Sequence, residues 1–487
     1  MASPFSTPLL EDHNSPKSKQ ETRLSLSEVI LEIKMICTIA FPMIITGLLI
    51  YGKSLISMLF LGKIGKDALA GGSLAIGLAN ITGYSIISGL ASGMEAISTQ
   101  AFGAKQWSLM AQTLQRIVII LLFACIPISI IWLNIQPILV LCDQNPKISK
   151  IASTYLTFCL PDLFFQSIIY PLRIYLRSQN ITIPLMISAA ISLSLHGPVN
   201  YLFIDRFSLG VKGVALSVVV TDFILLANLL IYSCFWGNIY RLGGPIQCFD
   251  REWVSILSLA LPSCFSICLE WWWYEIMILL SGILSNTSEE EVATMGILLQ
   301  ATSLVYIFPS ALSLAASTRV GNELGAGRPG KARASYVIAL SCAFMTSFVA
   351  VVFMAGFGDV WGRAFTGDEA VVGLTAAVMP VVGLCELGNW PQTTGCGVLR
   401  GSARPGLGVR INLGSFYGVG LPMAILMGFV LKMGLVGLWL GLLGAQIVCA
   451  VLMVWVLSRT DWVVQASRAR ELIGVGQNEG STSIKTF

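Results

Sequence analysis

The chain has 487 residues, of which 55% are apolar and only 11% are charged, and its net charge is +4. Soluble domains carry about 25% charged residues, so this composition excludes an ordinary soluble protein and indicates one that spans a membrane. The first 30 residues are polar and include three prolines, so no cleavable signal peptide is expected. The twelve cysteines lie mostly in apolar runs without metal-site spacing, and we interpret them as small buried hydrophobic residues.

The remaining sequence consists largely of apolar runs, each close to the 20 or so residues that cross a bilayer as a helix. We therefore predict an all-α membrane protein with twelve transmembrane helices. The predicted spans are 34–60, 70–97, 114–135, 153–176, 180–204, 211–235, 253–283, 292–318, 333–357, 370–399, 406–430 and 435–457. The predicted divisions are an N-terminal tail (1–33), a six-helix lobe (34–235), an inter-lobe loop (236–252), a second six-helix lobe (253–457) and a C-terminal tail (458–487).

The lysines and arginines other than Lys53 are distributed unequally between the two sides of the membrane. Twelve spans place 21 lysines and arginines on the side of both termini, against 8 on the other side. The positive-inside rule therefore predicts that both termini are cytosolic. Lys53 lies within the first span and is expected to reach the outer interface with its ammonium group. A glycosylation-type motif at Asn286 then lies on the outer side.

The two halves of the chain repeat each other. Ala40-Phe-Pro42 corresponds to Ala260-Leu-Pro262 at an offset of 220 residues, and Gly210 corresponds to Gly434 at an offset of 224. Gly103 and Arg177 of the first half likewise correspond to Gly325 and Arg400 of the second, within the same motifs: Gly-Ala and Leu-Arg. Two repeats of six spans share one orientation, which is the architecture of a transporter with a central cavity. A channel made from one long chain is the alternative that a duplication leaves open.

Span seven contains the stretch Cys268-Leu-Glu-Trp-Trp-Trp-Tyr-Glu275 and therefore two carboxylates. An ionised acid at a membrane helix centre costs roughly 2.5–3.5 kcal/mol even on the lenient insertion scale. We expect Glu270 to bind a proton or cation during transport; a protonated carboxyl packed between helices is the alternative. Tyr274 shares the helix face of Glu270, whereas Glu275 lies about 140° further around the helix, towards a different neighbour or cavity wall.

Span ten carries a second acid, Glu386, with Asn389 on the same helix face. The repeat supplies an internal comparison, because Ile50 corresponds to Glu270 and Gln166 corresponds to Asn389. The acids of the second half thus have no acidic counterparts in the first half. A role in packing would tend to appear in both halves, so this asymmetry favours a proton site in the second half.

Glu95 lies at the inner end of span two, and Ser317 is its repeat counterpart. Two interpretations stay open for Glu95: it lines the cavity, or it contacts the basic inner rim through Lys105 or Arg116. The Gly-Ala segments that follow spans two and eight have neither P-loop nor dinucleotide-binding spacing. We interpret them as tight cytosolic turns between rigid bundles.

Four further side chains are candidates for the cavity wall. They are Gln166 in span four, Asp222 deep in span six, His196 in span five and Trp271 in span seven. A histidine can titrate near neutrality, but a lone one is more often a hydrogen-bonded buried residue. Trp271 and its neighbours, with Tyr51, Tyr84 and Phe308, offer aromatic surface to a planar ligand. No Ser/His/Asp set or HExxH motif occurs, so an enzyme is not expected.

Four motifs together resemble the plant branch of the multidrug and toxic compound extrusion (MATE) transporters. They are Gln-Ala-Phe-Gly-Ala-Lys105, Cys-Leu-Glu270-Trp-Trp, Ser-Thr-Arg-Val-Gly-Asn-Glu-Leu-Gly325 and the segment from Glu386 to Gly401. The resemblance covers essentially the whole chain. It implies two six-helix lobes in a V shape and export of organic compounds from the cytosol, usually driven by protons.

The resemblance also implies that an acid in span seven and an aspartate in span ten take part in protonation. The first corresponds to Glu270, but the second corresponds to Asn389, so this chain departs from the family pattern there. Glu386, one turn earlier, is expected to substitute for the missing acid.

The proton gradient is the expected driving force, with no cofactor, no metal and no nucleic-acid partner, and a monomer is expected. Candidate substrates are flavonoids, alkaloids, hormones such as abscisic acid, organic anions and xenobiotics. The plasma membrane, the vacuole and Golgi-related membranes all fit. Two alternatives stay open: a non-transporting membrane partner or sensor with the same fold, and a passive pathway for lipids or solutes.

Overall fold

A computed structural model describes residues 25–142, 144–235, 251–284 and 289–474. This part of the chain is helical throughout and contains no strand. We number the long helices α1 to α12 and call α1–α6 the first lobe and α7–α12 the second lobe. They are α1 Leu26–Ile64, α2 Lys66–Gly103, α3 Trp107–Leu133, α4 Pro146–Ser178, α5 Ile183–Arg206, α6 Val211–Phe235, α7 Arg251–Leu284, α8 Glu289–Gly325, α9 Pro329–Phe365, α10 Glu369–Gly401, α11 Pro405–Val430 and α12 Gly434–Ser458.

Eleven of the described helices are long and apolar enough to cross a membrane. The twelfth predicted span, 153–176, lies within α4, which has 33 residues but does not belong to those eleven. The reason is its composition, since Asp162, Arg173 and Arg177 interrupt its apolar sequence. Helix α4 nevertheless packs against α2, α3 and α6 inside the first lobe. Asp162 and Arg177 are accordingly buried within the protein.

The helix ends differ from the predicted boundaries where local capping extends them. Helix α1 begins at Leu26, within the predicted tail, because Ser25 and Glu28 form a capping box. A short helix, α13 (Trp462–Leu472), lies in the predicted C-terminal tail and is capped by Asp461. Most of the predicted inter-lobe loop, the Asn286 motif and the outer parts of both tails lie outside the described residues.

Each lobe has its own hydrophobic core, and one helix of each lobe crosses into the other core at the end of the molecule where α1 begins and α12 ends; we call this the inner end and the opposite one the outer end. Ile36 and Ile39 of α1 are buried in the second-lobe core. Ile256 and Ala260 of α7 are buried in the first-lobe core. The first helix of each repeat therefore packs its inner end in the core of the other lobe, in agreement with the sequence repeat.

The inner ends of the lobes are in backbone contact. A Cβ atom added to Gly103 would lie 2.1 Å from the carbonyl oxygen of Asn322, and one added to Gly325 would lie 1.9 Å from that of Gln100. The Gly-Ala segments interpreted as turns end α2 and α8 and pack against each other. Glycine is required here because any side chain would separate the helices.

The buried core of the second lobe makes one stability prediction. Trp273 is fully buried between Phe416 and Tyr417, whereas Trp455 is 58% exposed on the lobe surface. We expect Trp273→Ala to lower the free energy of unfolding by about 3–5 kcal/mol, because it leaves a large cavity. The matched control Trp455→Ala should change it by less than about 1 kcal/mol. Thermal unfolding in detergent measures both, and equal effects would contradict the assigned core.

Candidate functional site

A cavity of about 500 Å³ lies between the outer halves of the two lobes. Helices α1 and α2 form one wall, and α7 and α8 form the other. Its polar and aromatic lining is concentrated on the second-lobe side. The lining residues that the argument uses are Tyr51, Asn80, Glu270, Trp271, Tyr274, Glu275, Gln300 and Tyr306. The hydroxyl of Tyr51 donates to the side-chain oxygen of Gln300 across the cavity at 3.1 Å.

Glu270 lies in the wall of this cavity and is only 7% exposed. Its electrostatic partners are the Tyr306 hydroxyl, the Gln392 amide and, more remotely, the Arg400 guanidinium. Among the described residues, its Oε1 atom has no hydrogen-bond partner. An apolar environment disfavours an unpartnered ionised oxygen, so the site favours proton binding on this atom.

Behind Glu270, a chain of polar side chains runs along α10. The Asn389 amide donates to Glu386 Oε2 at 2.9 Å, and the Thr393 hydroxyl lies 3.3 Å from Asn389 Oδ1 and 3.2 Å from Gln392 Oε1. Glu386 and Asn389 are each 1% exposed and line neither cavity described here. The chain therefore connects Glu386 with the Gln392 neighbour of Glu270 without reaching the cavity.

Asn389 makes a contact to Glu386 that an ionised aspartate would not make. Its amide nitrogen is a donor, so it satisfies one oxygen of the Glu386 carboxyl directly. Tyr274 lies within electrostatic range of both Glu386 and Glu270. Position 389 thus carries an amide donor that binds the acid one turn earlier.

The three consecutive tryptophans of α7 have three different environments. Trp271 lines the cavity, Trp272 is 38% exposed, and Trp273 is fully buried in the second-lobe core. Glu275 and Glu270 line the same cavity despite their different helical phase. Phe308 stacks on Trp390, with ring centroids 6.3 Å apart.

A second cavity, of about 280 Å³, lies inside the first lobe and adjoins the first through shared lining residues such as Trp271. Its wall carries an ion pair between Lys53 Nζ and Asp222 Oδ1 at 2.5 Å. Asp162 also lines it and accepts from the Tyr84 hydroxyl at 2.6 Å. The Gln166 amide lies 3.4 Å from Asp162. This cavity therefore contains charges of both signs.

Lys53 does not reach the outer interface, because its side chain is 11% exposed and is held by Asp222. A buried ammonium group needs a counter-ion, and Asp222 is the counter-ion of Lys53. Sequence reasoning also passed over Asp162. An acid within the predicted span 153–176, directly after Pro161, was the signal that would have identified it.

Two other candidates lie outside both cavities. His196 is fully buried between the hydroxyls of Ser57 at 2.9 Å and Thr221 at 3.1 Å, as a hydrogen-bonded core residue. Glu95 is 1% exposed and contacts neither of its expected partners; its carboxylate binds Arg177 and, at 2.8 Å, Arg400.

Two pseudo-symmetric helical lobes, a cavity between them and a buried acid in its wall define a multi-pass membrane transporter with a central binding cavity. The family model MatE matches residues 42–202 and 262–426, one match in each half. The chain belongs to the MatE family. The paired match also reproduces the internal repeat found in the sequence.

The relatives support this assignment over nearly the full length. Protein DETOXIFICATION 48 of Arabidopsis thaliana is 55% identical over 449 residues, which cover 92% of this chain and 84% of that protein. Protein DETOXIFICATION 49 of the same plant is 52% identical, with 95% and 92% covered. Multidrug and toxin extrusion protein 1 of Danio rerio is 33% identical, with 92% and 76% covered.

The fold agrees with solved structures. The crystal structure of the eukaryotic MATE transporter AtDTX14 matches with a TM-score of 0.87 and 32% identity, covering 91% of this chain and 99% of that chain. An outward-facing multidrug resistance MATE family transporter matches with a TM-score of 0.80 at 17% identity, covering 90% and 97%, which shows the shared fold. The predicted family, fold class and transporter class are confirmed.

The first-lobe ion pair makes a stability prediction. Lys53→Met leaves Asp222 buried without its cation, and we expect the free energy of unfolding to fall by about 3–5 kcal/mol. The double variant Lys53→Met/Asp222→Leu should recover most of this loss, because no unpaired charge remains. Thermal unfolding in detergent compares the two proteins. A double variant as unstable as the single one would contradict the pairing.

Proposed function

We propose that this protein exports organic compounds from the cytosol by exchange for protons. The proposal rests mainly on the position of Glu270. This residue is buried in the wall of the cavity between the lobes, and one of its carboxyl oxygens has no hydrogen-bond partner among the described residues. Relatives named as detoxification and toxin extrusion proteins support a role in efflux. The protein is thus proposed to be a transporter and not an enzyme, powered by the proton gradient without a cofactor.

The orientation of the cavity determines the order of steps. It lies between the outer halves of the lobes, and the inner ends are closed by backbone contacts at Gly103 and Gly325. In this state Glu270 takes a proton from the outer side and loses its charge. Loss of this charge weakens the attraction between Glu270 and a bound substrate, and the substrate dissociates to the outer side. After the inner ends open, Glu270 releases the proton to the cytosol, and each pH unit of gradient contributes about 1.4 kcal/mol per proton.

Glu386 supports Glu270 in this proposal. The polar chain through Asn389, Thr393 and Gln392 joins the two acids within one lobe. Of these two acids only Glu270 lines the cavity wall, so Glu270 exchanges the proton with the cavity, while Glu386 keeps its Asn389 donor.

The charge of the outer cavity favours a substrate class. Its lining includes Glu270 and Glu275, and no lysine or arginine is among its described lining residues. Tyr51, Trp271, Tyr274 and Tyr306 add aromatic surface. Planar organic cations and weak bases therefore fit this cavity better than organic anions such as ionised abscisic acid.

The remaining parts of the proposal concern placement in the cell. Both termini are proposed to be cytosolic, because the basic residues concentrate on that side. The lobes 34–235 and 253–457 are proposed to act as a single-chain unit whose relative tilt alternates. The host membrane is proposed to be the plasma membrane or an endomembrane with an acidic far side.

The test of proton coupling uses purified protein in proteoliposomes with an imposed pH gradient. We expect Glu270→Gln to reduce gradient-driven transport of a fluorescent planar cation by about 100-fold or more, because the amide cannot exchange a proton. Glu275→Gln is the matched control, on the same helix and cavity: it should weaken binding of the cation but keep the dependence of transport on the pH gradient, because Glu270 is intact. Full activity of folded Glu270→Gln protein would overturn the proposal.

The same vesicles separate the alternatives. Transport accelerated by the gradient supports the exporter. Flux that depends neither on the pH gradient nor on the Glu270 substitution indicates a passive pathway. Absence of flux for cations, anions and neutral compounds indicates a non-transporting partner.

A further inference from the structure

Glu95 is a buried acid at the inner end of the molecule, away from both cavities. Its side chain is 1% exposed, and it has two guanidinium partners. Arg177 belongs to α4 of the first lobe and contacts Glu95 Oε1. Arg400 belongs to α10 of the second lobe, and its Nε donates to Glu95 Oε2 at 2.8 Å. One carboxylate is thus shared between the lobes.

The two arginines occupy corresponding positions of the sequence repeat, but the acid does not repeat. The counterpart of Glu95 is Ser317, so the pseudo-symmetry provides two cations and one anion at this junction. Arg400 also donates to Ser313 Oγ at 3.0 Å within its own lobe. Arg177 Nε has no hydrogen-bond partner among the described residues. The single carboxylate therefore holds both guanidinium groups.

The surroundings exclude water from this ion pair. The Gln100 amide donates to the Gly401 carbonyl at 3.0 Å, from the first lobe to the second. A Cβ atom added to Gly93 would lie 2.4 Å from Ala260 Cα, and one added to Gly321 would lie 2.0 Å from Thr99 Oγ1. At this packing density the charge interaction is little screened, so it contributes more than a surface pair would.

Two other ion pairs also join the lobes, but they stabilise the crossed helices. Glu32 of α1 binds Arg319 at 2.8 Å, where α1 already packs in the second-lobe core. Glu252 of α7 binds Arg116, where α7 already packs in the first-lobe core. Glu95 differs because α2, which carries it, keeps its core in the first lobe, whereas Arg400 belongs to the second lobe.

We propose that Glu95 is the latch of the inner gate: its bond to Arg400 holds the inner ends together while the cavity faces outwards. When the lobes separate at the inner side, Glu95 stays with Arg177 in the first lobe and releases Arg400. Glu95 is thus a positioning residue that sets the balance between the two states of the transporter. The inference rests on the proposed alternation of the lobes and is independent of which ion drives it.

The test measures the distance between the inner ends in full-length protein in nanodiscs at fixed pH. Spin labels are attached through non-natural amino acids at the positions of Lys105 and Lys331, because native cysteines such as Cys37 are exposed. Double electron–electron resonance then reports the distance distribution. We expect Glu95→Gln to increase the ratio of long to short distances by about tenfold, because a broken buried ion pair is worth more than that factor.

The matched control is Glu323→Gln. Glu323 is a buried acid at the same end, and it binds Arg319 at 2.9 Å and Arg328 at 2.8 Å within the second lobe. Its neutralisation should leave the distance distribution unchanged. A shift as large as that of Glu95→Gln would show that any buried acid at this end has the same effect, and would overturn the proposal.

Variants of the two arginines distinguish a latch function of Glu95 from a general structural role. Arg400→Gln removes the inter-lobe bond and should reproduce the shift, even if Glu95→Gln protein fails to fold. Arg177→Gln leaves the bond between Glu95 and Arg400 in place and should shift the ratio far less. Equal shifts from both arginine variants, or an unchanged distribution in folded Glu95→Gln protein, would overturn the latch. Loss of proton coupling at Glu270 alone would leave these distances as predicted.

Discussion

The structure depends on one constraint: a carboxylate inside an apolar lobe needs a cation, hydrogen-bond donors or a proton. Asp222 has Lys53, Glu95 has two arginines, and Glu386 has the amide of Asn389. Glu270 has polar neighbours but keeps one oxygen without a hydrogen-bond partner among the described residues, and it alone of these four acids lines the cavity between the lobes. The acid with the fewest hydrogen-bond partners of these four therefore lines the cavity, which is why the proposed proton coupling is assigned to it.

The duplication of the chain explains both the symmetry of the scaffold and the asymmetry of its chemistry. Each lobe needs the same crossing helix and the same glycine contacts, so these features repeat. In the proposed mechanism, proton exchange and closure of the inner gate each use one acid, and each acid occurs in only one half: Glu270 opposite Ile50, and Glu95 opposite Ser317. Arg177 and Arg400 remain as a symmetric pair that converges on a single carboxylate.

Sequence reasoning predicted the helical repeat, the family and a carboxylate at Glu270 inside a membrane helix, because length, hydropathy and motifs are local properties of the chain; the role of Glu270 in proton coupling stays a prediction. It placed Lys53 at the interface and passed over Asp162, because the partners of these residues lie 169 and 78 positions away along the chain. Sequence reasoning also missed the partners of Glu95, which lie 82 and 305 positions away along the chain. The pairing of charged side chains depends on how the helices pack against each other, and this packing cannot be read directly from one sequence.

The most direct measurement of the central claim is the number of protons released when an exported compound binds to the purified protein. Titration calorimetry in buffers of different ionisation enthalpy gives this number without vesicles or gradients. Coupling through Glu270 predicts release of about one proton per bound substrate near neutral pH, and none in Glu270→Gln. The same proton release from folded Glu270→Gln protein would contradict the account.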